Sequence, residues 1–172
     1  LAPLRSKLPN TVLDVHGVKK HGGEFVASEL QAAVDTDRDN VFIVEETIRR
    51  AEDRKAWLFF CTGVAHAKRI RDVLVDHGIV AETVTGATPK EERARILAEF
   101  RAGNIRALTN AEVLTTGFDY PDIDLIAMCR PTMSPGLYVQ MLGRGMRVKS
   151  HTDHCLVLDF AGNVRTHGPI IS

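Results

Sequence analysis

Eight residues toward the carboxyl end, QMLGRGMR (140–147), hold Gln140, Arg144 and Arg147 at offsets of zero, four and seven. On a helix that spacing puts the three side chains on one face. Gly143 and Gly145 lie among them, and glycine weakens a helix by removing side chains and adding backbone freedom. Two fixed cations and an amide, with no acid among them, are suited to meet an anion that the stretch itself does not supply. A second stretch, ALTNAEVLTTGFDYPDID (107–124), joins two apolar runs. Thr109 and Asn110 fall where a strand should end, and a hydroxyl with an exposed backbone N–H can hold a phosphate there. Gly117 lets the backbone approach a ligand closely, and Asp119 can accept hydrogen bonds from ribose hydroxyls. A polar connection with a glycine turn and an Asp-Tyr-Pro stop accounts for the same letters equally well.

Other chemistries find little footing. There is no GxxxxGK[ST] and no GxGxxG, so the chain has no phosphate-cradling loop of its own. CLVLDF (155–160) ends an aliphatic run in Asp159, but Phe160 stands where a catalytic acid would follow, and a simple strand end is the better reading. No Ser/His/Asp or paired-carboxylate arrangement is supported by spacing. HTDHC (151–155) lacks a second cluster at zinc spacing, so no metal site is expected. Cys61, Cys129 and Cys155 are odd in number, sit in apolar runs and form no CxxC. They read as buried thiols of a reducing, cytoplasmic compartment.

The chain has 172 residues, with 22 Lys plus Arg against 22 Asp plus Glu. Zero net charge argues against gripping nucleic acid by bulk charge, while leaving room for a few placed phosphate contacts. No apolar run approaches the length of a membrane span, and no signal peptide is visible. The chain starts at Leu1 and not at Met, so it is expected to be a piece of something longer.

The elements that must position these residues follow from hydrophobic periodicity. AWLFFC (56–61), VAETVT (80–85), IRALT (105–109), IDLIAMC (123–129) and HCLVLDF (154–160) read as strands. Val64, Ala67, Ile70 and Leu74 mark one face of a helix that Gly78 stops. TPKEERARILAEFRAG opens with Thr88 as N-cap, Pro89 at the first position and Glu91 closing a capping box, and Gly103 ends it. Ser134 and Pro135 start the helix that carries QMLGRGMR. Strands separated by helices imply right-handed crossovers and a parallel sheet covered on both faces. An α/β doubly wound domain is expected over 56–172, with function at the carboxyl ends of its strands. Residues 1–55 read as a linker segment: TVLDVHGV as a strand, KKHGG as a basic turn, then two helices around a polar DTDRDN connector.

LFFCTG, TVTG, ALTNAEVLTTGFD and QMLGRGMR, in that order, resemble motifs IV, IVa, V and VI of the second RecA-like domain of superfamily 2 helicases. EERARILAEFRAG resembles the helix that this family places before motif V. QxxGRxxR, rather than HRxGRxxR, is similar to the DEAH-like part of the superfamily. The tail LVLDFAGNVRTHGPI resembles RadD-like helicases, which act on DNA. The resemblance implies a RecA-like fold that meets a first RecA-like domain of the same protein across ATP and Mg²⁺, the first domain holding the phosphates and metal. It implies that Arg144 and Arg147 are arginine fingers, that Gln140 contributes to the phosphate side, and that Gly117 and Asp119 face the nucleotide. Thr62, Gly63, Gly86, Thr109 and Asn110 are implied to line a nucleic-acid track. Asn110 replaces an acid common there in DEAD-box proteins, and Thr85 a frequent histidine. A self-contained enzyme of small phosphate or nucleotide substrates, and a non-catalytic module on the same fold, remain the other readings.

Overall fold

A computed structural model describes residues 4–7, 13–111, 123–143 and 154–168. In chain order the elements are β1 (Leu4–Lys7), the hairpin strands β2 (Lys20–His21) and β3 (Glu24–Phe25), and helices α1 (Ala27–Val34) and α2 (Asp37–Arg50). Then come β4 (Trp57–Phe60), α3 (Val64–Asp76), β5 (Ala81–Val84), α4 (Lys90–Arg101), β6 (Ala107–Asn110) and β7 (Leu125–Met128). They close with α5 (Pro135–Gly143), β8 (Cys155–Asp159) and α6 (Asn163–His167).

AWLFFC, VAETVT, IRALT, IDLIAMC and HCLVLDF each supply a strand, and these five with β1 make a six-stranded sheet of order β1-β8-β7-β4-β6-β5. All its pairings are parallel. Alternation along the strands sorts the core into two layers. Leu58, Phe60, Leu108, Ile126 and Met128 face α4 and α5, meeting Ile96, Phe100, Tyr138 and Met141. Trp57, Phe59, Leu125, Ala127 and Leu158 face the other way, onto Val34, Ile43, Val44, Ala67, Ile70 and Leu74 of the first three helices. The doubly wound α/β architecture is therefore present, and α1 and α2 supply part of one of its covering layers.

Local chemistry sets the ends of these elements. Thr36 caps α2 by accepting from Asp39 N at 3.2 Å, and Asp37 and Asp39 in its first turn complement the helix dipole. Gly78 and Gly103, each at φ +83°, end α3 and α4 in the left-handed conformation that glycine adopts freely.

Three expectations change. TVLDVHGV contributes no strand over its described part, Leu13–Val18, which is irregular and turns at His16–Gly17. The strand added beside β8 is instead β1, whose LRSK carries no apolar alternation and does not read as a strand. Thr88 does not cap α4, because its hydroxyl accepts from Thr85 N at 2.9 Å within the preceding turn. Pro89 takes the cap position without a side-chain bond, an instance of local side-chain bonding competing with a helix end.

Because all six strands run the same way, their carboxyl ends share one edge. That edge gathers the residues after β4 (61–63), β5 (85–88), β6 (111), β7 (129–134) and β8 (160–162).

Candidate functional site

The helix that leads into the Arg144 stretch is anchored at its start. Ser134 Oγ accepts from Leu137 N at 3.2 Å, the N-cap geometry that its position before Pro135 implies. Tyr138, Met141 and Leu142 bury against the sheet, which leaves Gln140 exposed on the outer face. Arg144 and Arg147 lie outside the described residues, as do Gly117 and Asp119.

The residues expected along a nucleic-acid track are brought together on neighbouring strands β4, β6 and β5, but most of their side chains face inward. Thr62 is buried, and both its N–H (3.1 Å) and its hydroxyl (2.9 Å) meet Nδ1 of buried His66. Nδ1 must therefore act as an acceptor, which leaves the ring proton on Nε2. That atom has no hydrogen-bond partner among the described residues. Gly63 begins α3 at a point where Gln31 of α1 closes in. A β-carbon on Gly63 would overlap the Gln31 carboxamide, whose Oε1 accepts from His66 N at 3.1 Å. The glycine makes room for a side chain of this same chain.

Thr109 is fully buried. Its hydroxyl donates to Ala67 O at 2.8 Å and lies 2.8 Å from Thr83 Oγ1, tying β6 to α3 and β5. The contact expected from this hydroxyl to a phosphate is thus not available in this arrangement. Buried Asn110 donates to Phe59 O at 3.2 Å, and its Oδ1 has no hydrogen-bond partner among the described residues. Gly86 is exposed in the turn before α4. Beside that turn an open cleft of about 330 Å³ runs between α3 and β5, with Val64, Lys68 and Arg71 on one wall and Thr83, Thr88 and Glu92 on the other. Of the three cations on α3, Arg69 pairs with Asp35 and Arg71 with Asp72.

Residues 39–149 match the family model described as the helicase conserved C-terminal domain. The chain belongs to that family. The arrangement of its sheet and helices agrees: a crystal structure of the E. coli DEAD-box protein SrmB, bound to the regulator RraA, superposes with a TM-score of 0.63 at 14% identity, covering 76% of this chain and 75% of that one. Among sequences, IRC3 of Saccharomyces cerevisiae, a protein named as an ATP-dependent helicase, is 34% identical over 151 residues, 87% of this chain and 22% of its own length. A 51.5 kDa protein of a Lactococcus phage is 32% identical over 126 residues, 73% of this chain and 27% of its own. The domain thus spans about a quarter of the length of these curated relatives.

Sequence reasoning missed Gln31, Glu24 and His66. Only His66 left a local trace, four residues after Thr62 at the entry to a helix. The other two act on partners 35 and more than 100 residues away.

His66 has a measurable consequence. Burial pulls its pKa down from 6.5 to about 4, against the opposing field of Asp35 and with help from Arg69. A folded pKa below the unfolded one means that the unfolded chain binds the extra proton first. Stability is then complete above pH 6.5 and is lost as pH falls from 6.5 toward 4, by roughly 2 kcal/mol at pH 5 and about 3 kcal/mol once both states are protonated. Urea unfolding at pH 7 and pH 5 should show this loss for the native domain and much less of it for His66→Gln. Equal losses in the two proteins would mean that the histidine is hydrated in the folded state.

Proposed function

We propose that this domain is the second half of an ATP-dependent motor that moves along nucleic acid, DNA in preference to RNA. The observation that carries the reading is QMLGRGMR, the last of four motifs standing in order along the stretch that matches the helicase C-terminal family. In this reading ATP lies between the domain and a first RecA-like domain of the same protein. Arg144 and Arg147 reach its γ-phosphate, Gln140 supports the phosphate side, and Gly117 and Asp119 face the nucleoside. The family resemblance assigns the Mg²⁺ ligands to that first domain with its Walker motifs.

The polymer track is placed along the cleft beside Gly86, Val64 and Lys68, at the edge where β4, β5 and β6 end. Thr62, Gly63, Thr109 and Asn110 lie behind it as the packed support. Contacts of this sort engage the sugar-phosphate backbone and carry no base information, which suits a translocating motor and a domain of zero net charge. DNA is preferred because of the likeness of LVLDFAGNVRTHGPI (156–170) to RadD-like helicases.

ATP hydrolysis by the full-length protein and by residues 1–172 alone, each with single-stranded DNA, duplex DNA or RNA, tests this. The full-length protein should be stimulated, most by DNA, and the isolated domain should show no turnover. Stoichiometric, Mg²⁺-dependent turnover by residues 1–172 would sink the reading, and stimulation by RNA alone would reassign the polymer.

A further inference from the structure

The β2–β3 hairpin lies more than 100 residues before α5 in the chain, yet one of its side chains holds the approach to that helix. Gly22 and Gly23, at φ +60° and +81°, form its two-residue turn, the left-handed pair that a tight hairpin of this hand requires. Lys20 and His21 are exposed, and Glu24 and Phe25 are half-buried. Lys20 sits 5.5 Å from the Phe25 ring, which keeps that cation on the hairpin itself. Glu24 is half-buried, and its carboxylate spans the segment between β7 and α5. Oε1 accepts from Met133 N at 2.9 Å, and Oε2 accepts from the Thr132 hydroxyl.

Those donors belong to a segment fixed from several sides. Thr132 Oγ1 in turn accepts from Ser134 N at 3.0 Å, and Ser134 is the N-cap of α5. Thr132 N donates to Asn163 Oδ1 at 3.1 Å, and Asn163 Nδ2 donates to Arg130 O at 3.0 Å. Arg130 reaches the other way and donates to Ala111 O at 2.9 Å, the residue that opens the stretch leading to Gly117 and Asp119. Burial would push the Glu24 pKa up, but the bonds from Met133, Thr132 and Phe25, with Arg130 nearby, hold it below the usual carboxylate range. The group is a charged acceptor at neutral pH.

We infer that Glu24 is a positioning residue for the ATP site: it sets where α5 begins, and so where the residues following Gly143 stand against the nucleotide. The inference rests on the reading of Arg144 and Arg147 as arginine fingers. The physical reason for a large effect is that catalysis by a finger depends on placement. A displacement of about 1 Å at a reacting group can cost on the order of 100-fold in rate. Glutamine at position 24 keeps the size of the side chain but removes its charge, so the Met133 N–H loses a charge-assisted acceptor and the Thr132 hydroxyl meets an amide N–H₂ where it donated to a carboxylate.

The test uses the full-length protein and measures kcat and the ATP KM of nucleic-acid-stimulated hydrolysis for the native chain, Glu24→Gln, Thr132→Val and Arg144→Ala. Nucleic-acid affinity and melting temperature are measured alongside. Thr132→Val removes the hydroxyl that Glu24 accepts from, and it provides a second route should Glu24→Gln fold poorly. Both clamp variants should lose roughly 10- to 100-fold in kcat, with KM and nucleic-acid affinity within about threefold of native. A lowered melting temperature with kcat unchanged would overturn the inference, since the clamp would then serve the fold only. A raised KM at unchanged kcat would overturn it as well. Native turnover by Arg144→Ala would instead mark failure of the finger reading on which the inference stands.

Discussion

Arg144→Ala in the full-length protein is expected to lower nucleic-acid-stimulated ATP hydrolysis by about 10³- to 10⁵-fold while leaving polymer binding nearly unchanged. The size follows from the reaction. Phosphoryl transfer spreads negative charge over the γ-phosphate oxygens in the transition state, and an arginine brought across an interface stabilises that charge by roughly 4–7 kcal/mol. A solvated arginine contributes far less to a fold, so a loss on this scale identifies a catalytic role. The track is placed on a different part of the strand-end edge, beside β4, β5 and β6, which is why binding should survive. Arg144→Lys should recover little of the rate. A lysine keeps the charge but loses the planar fork that engages two phosphate oxygens at once. Should Arg144→Ala hydrolyse ATP as the native protein does, the nucleotide does not meet this arginine, and the interaction-module reading moves ahead.

The parts of the fold that were legible in the sequence are those whose determinants are local. WLFF, LIAM and CLVLD are apolar runs bounded by polar or glycine-rich turns, and each became a buried strand. β1 was not legible, because LRSK has no alternation and owes its strand to pairing with β8 about 150 residues later. The turn before α4 shows a local signature misleading for a local reason. Thr88, Pro89 and Glu91 satisfy the pattern of a capping box, yet Thr85 three residues earlier offers its N–H and takes the Thr88 hydroxyl. At the site, the four ordered motifs pointed to the edge where the strands end. They did not show that Thr109 would spend its hydroxyl on Ala67 O, or that Gln31 would fill the space beside Gly63. Such contacts depend on which helix lands where, and nothing in the neighbouring residues encodes that.

Asp124 carries the same lesson to a prediction. It stands five positions after Asp119, in the stretch DYPDID, and the family resemblance gives function to Asp119 only. The structure gives Asp124 a different task. It is fully buried before β7, where Oδ1 accepts from Ala56 N and Oδ2 from Lys55 N, both at 2.9 Å. Its own N–H donates to Ala56 O at 3.1 Å and its carbonyl accepts from Leu156 N at 2.9 Å, so one residue joins the starts of β4, β7 and β8. Arg106, packed over the Trp57 ring at 4.3 Å, feels the Asp124 charge, which offsets part of the burial that lowers its pKa. Asp124→Ala would strand two backbone donors and leave the arginine without that field. Breaking such a buried arrangement costs roughly 3–5 kcal/mol, equivalent in a domain of this size to a fall in melting temperature of about 10 °C or more. Asp124→Asn should recover little, because one of its two polar atoms would face a donor with a donor. Asp72→Ala is the matched control: that carboxylate pairs with Arg71 at the surface, and its loss should stay within about 0.5 kcal/mol. Chemical denaturation of the three variants reads the difference directly. If Asp124→Ala proved as mild as Asp72→Ala, water would have to replace the carboxylate at those two N–H groups, and the joint between the three strands would be looser than its bonds imply.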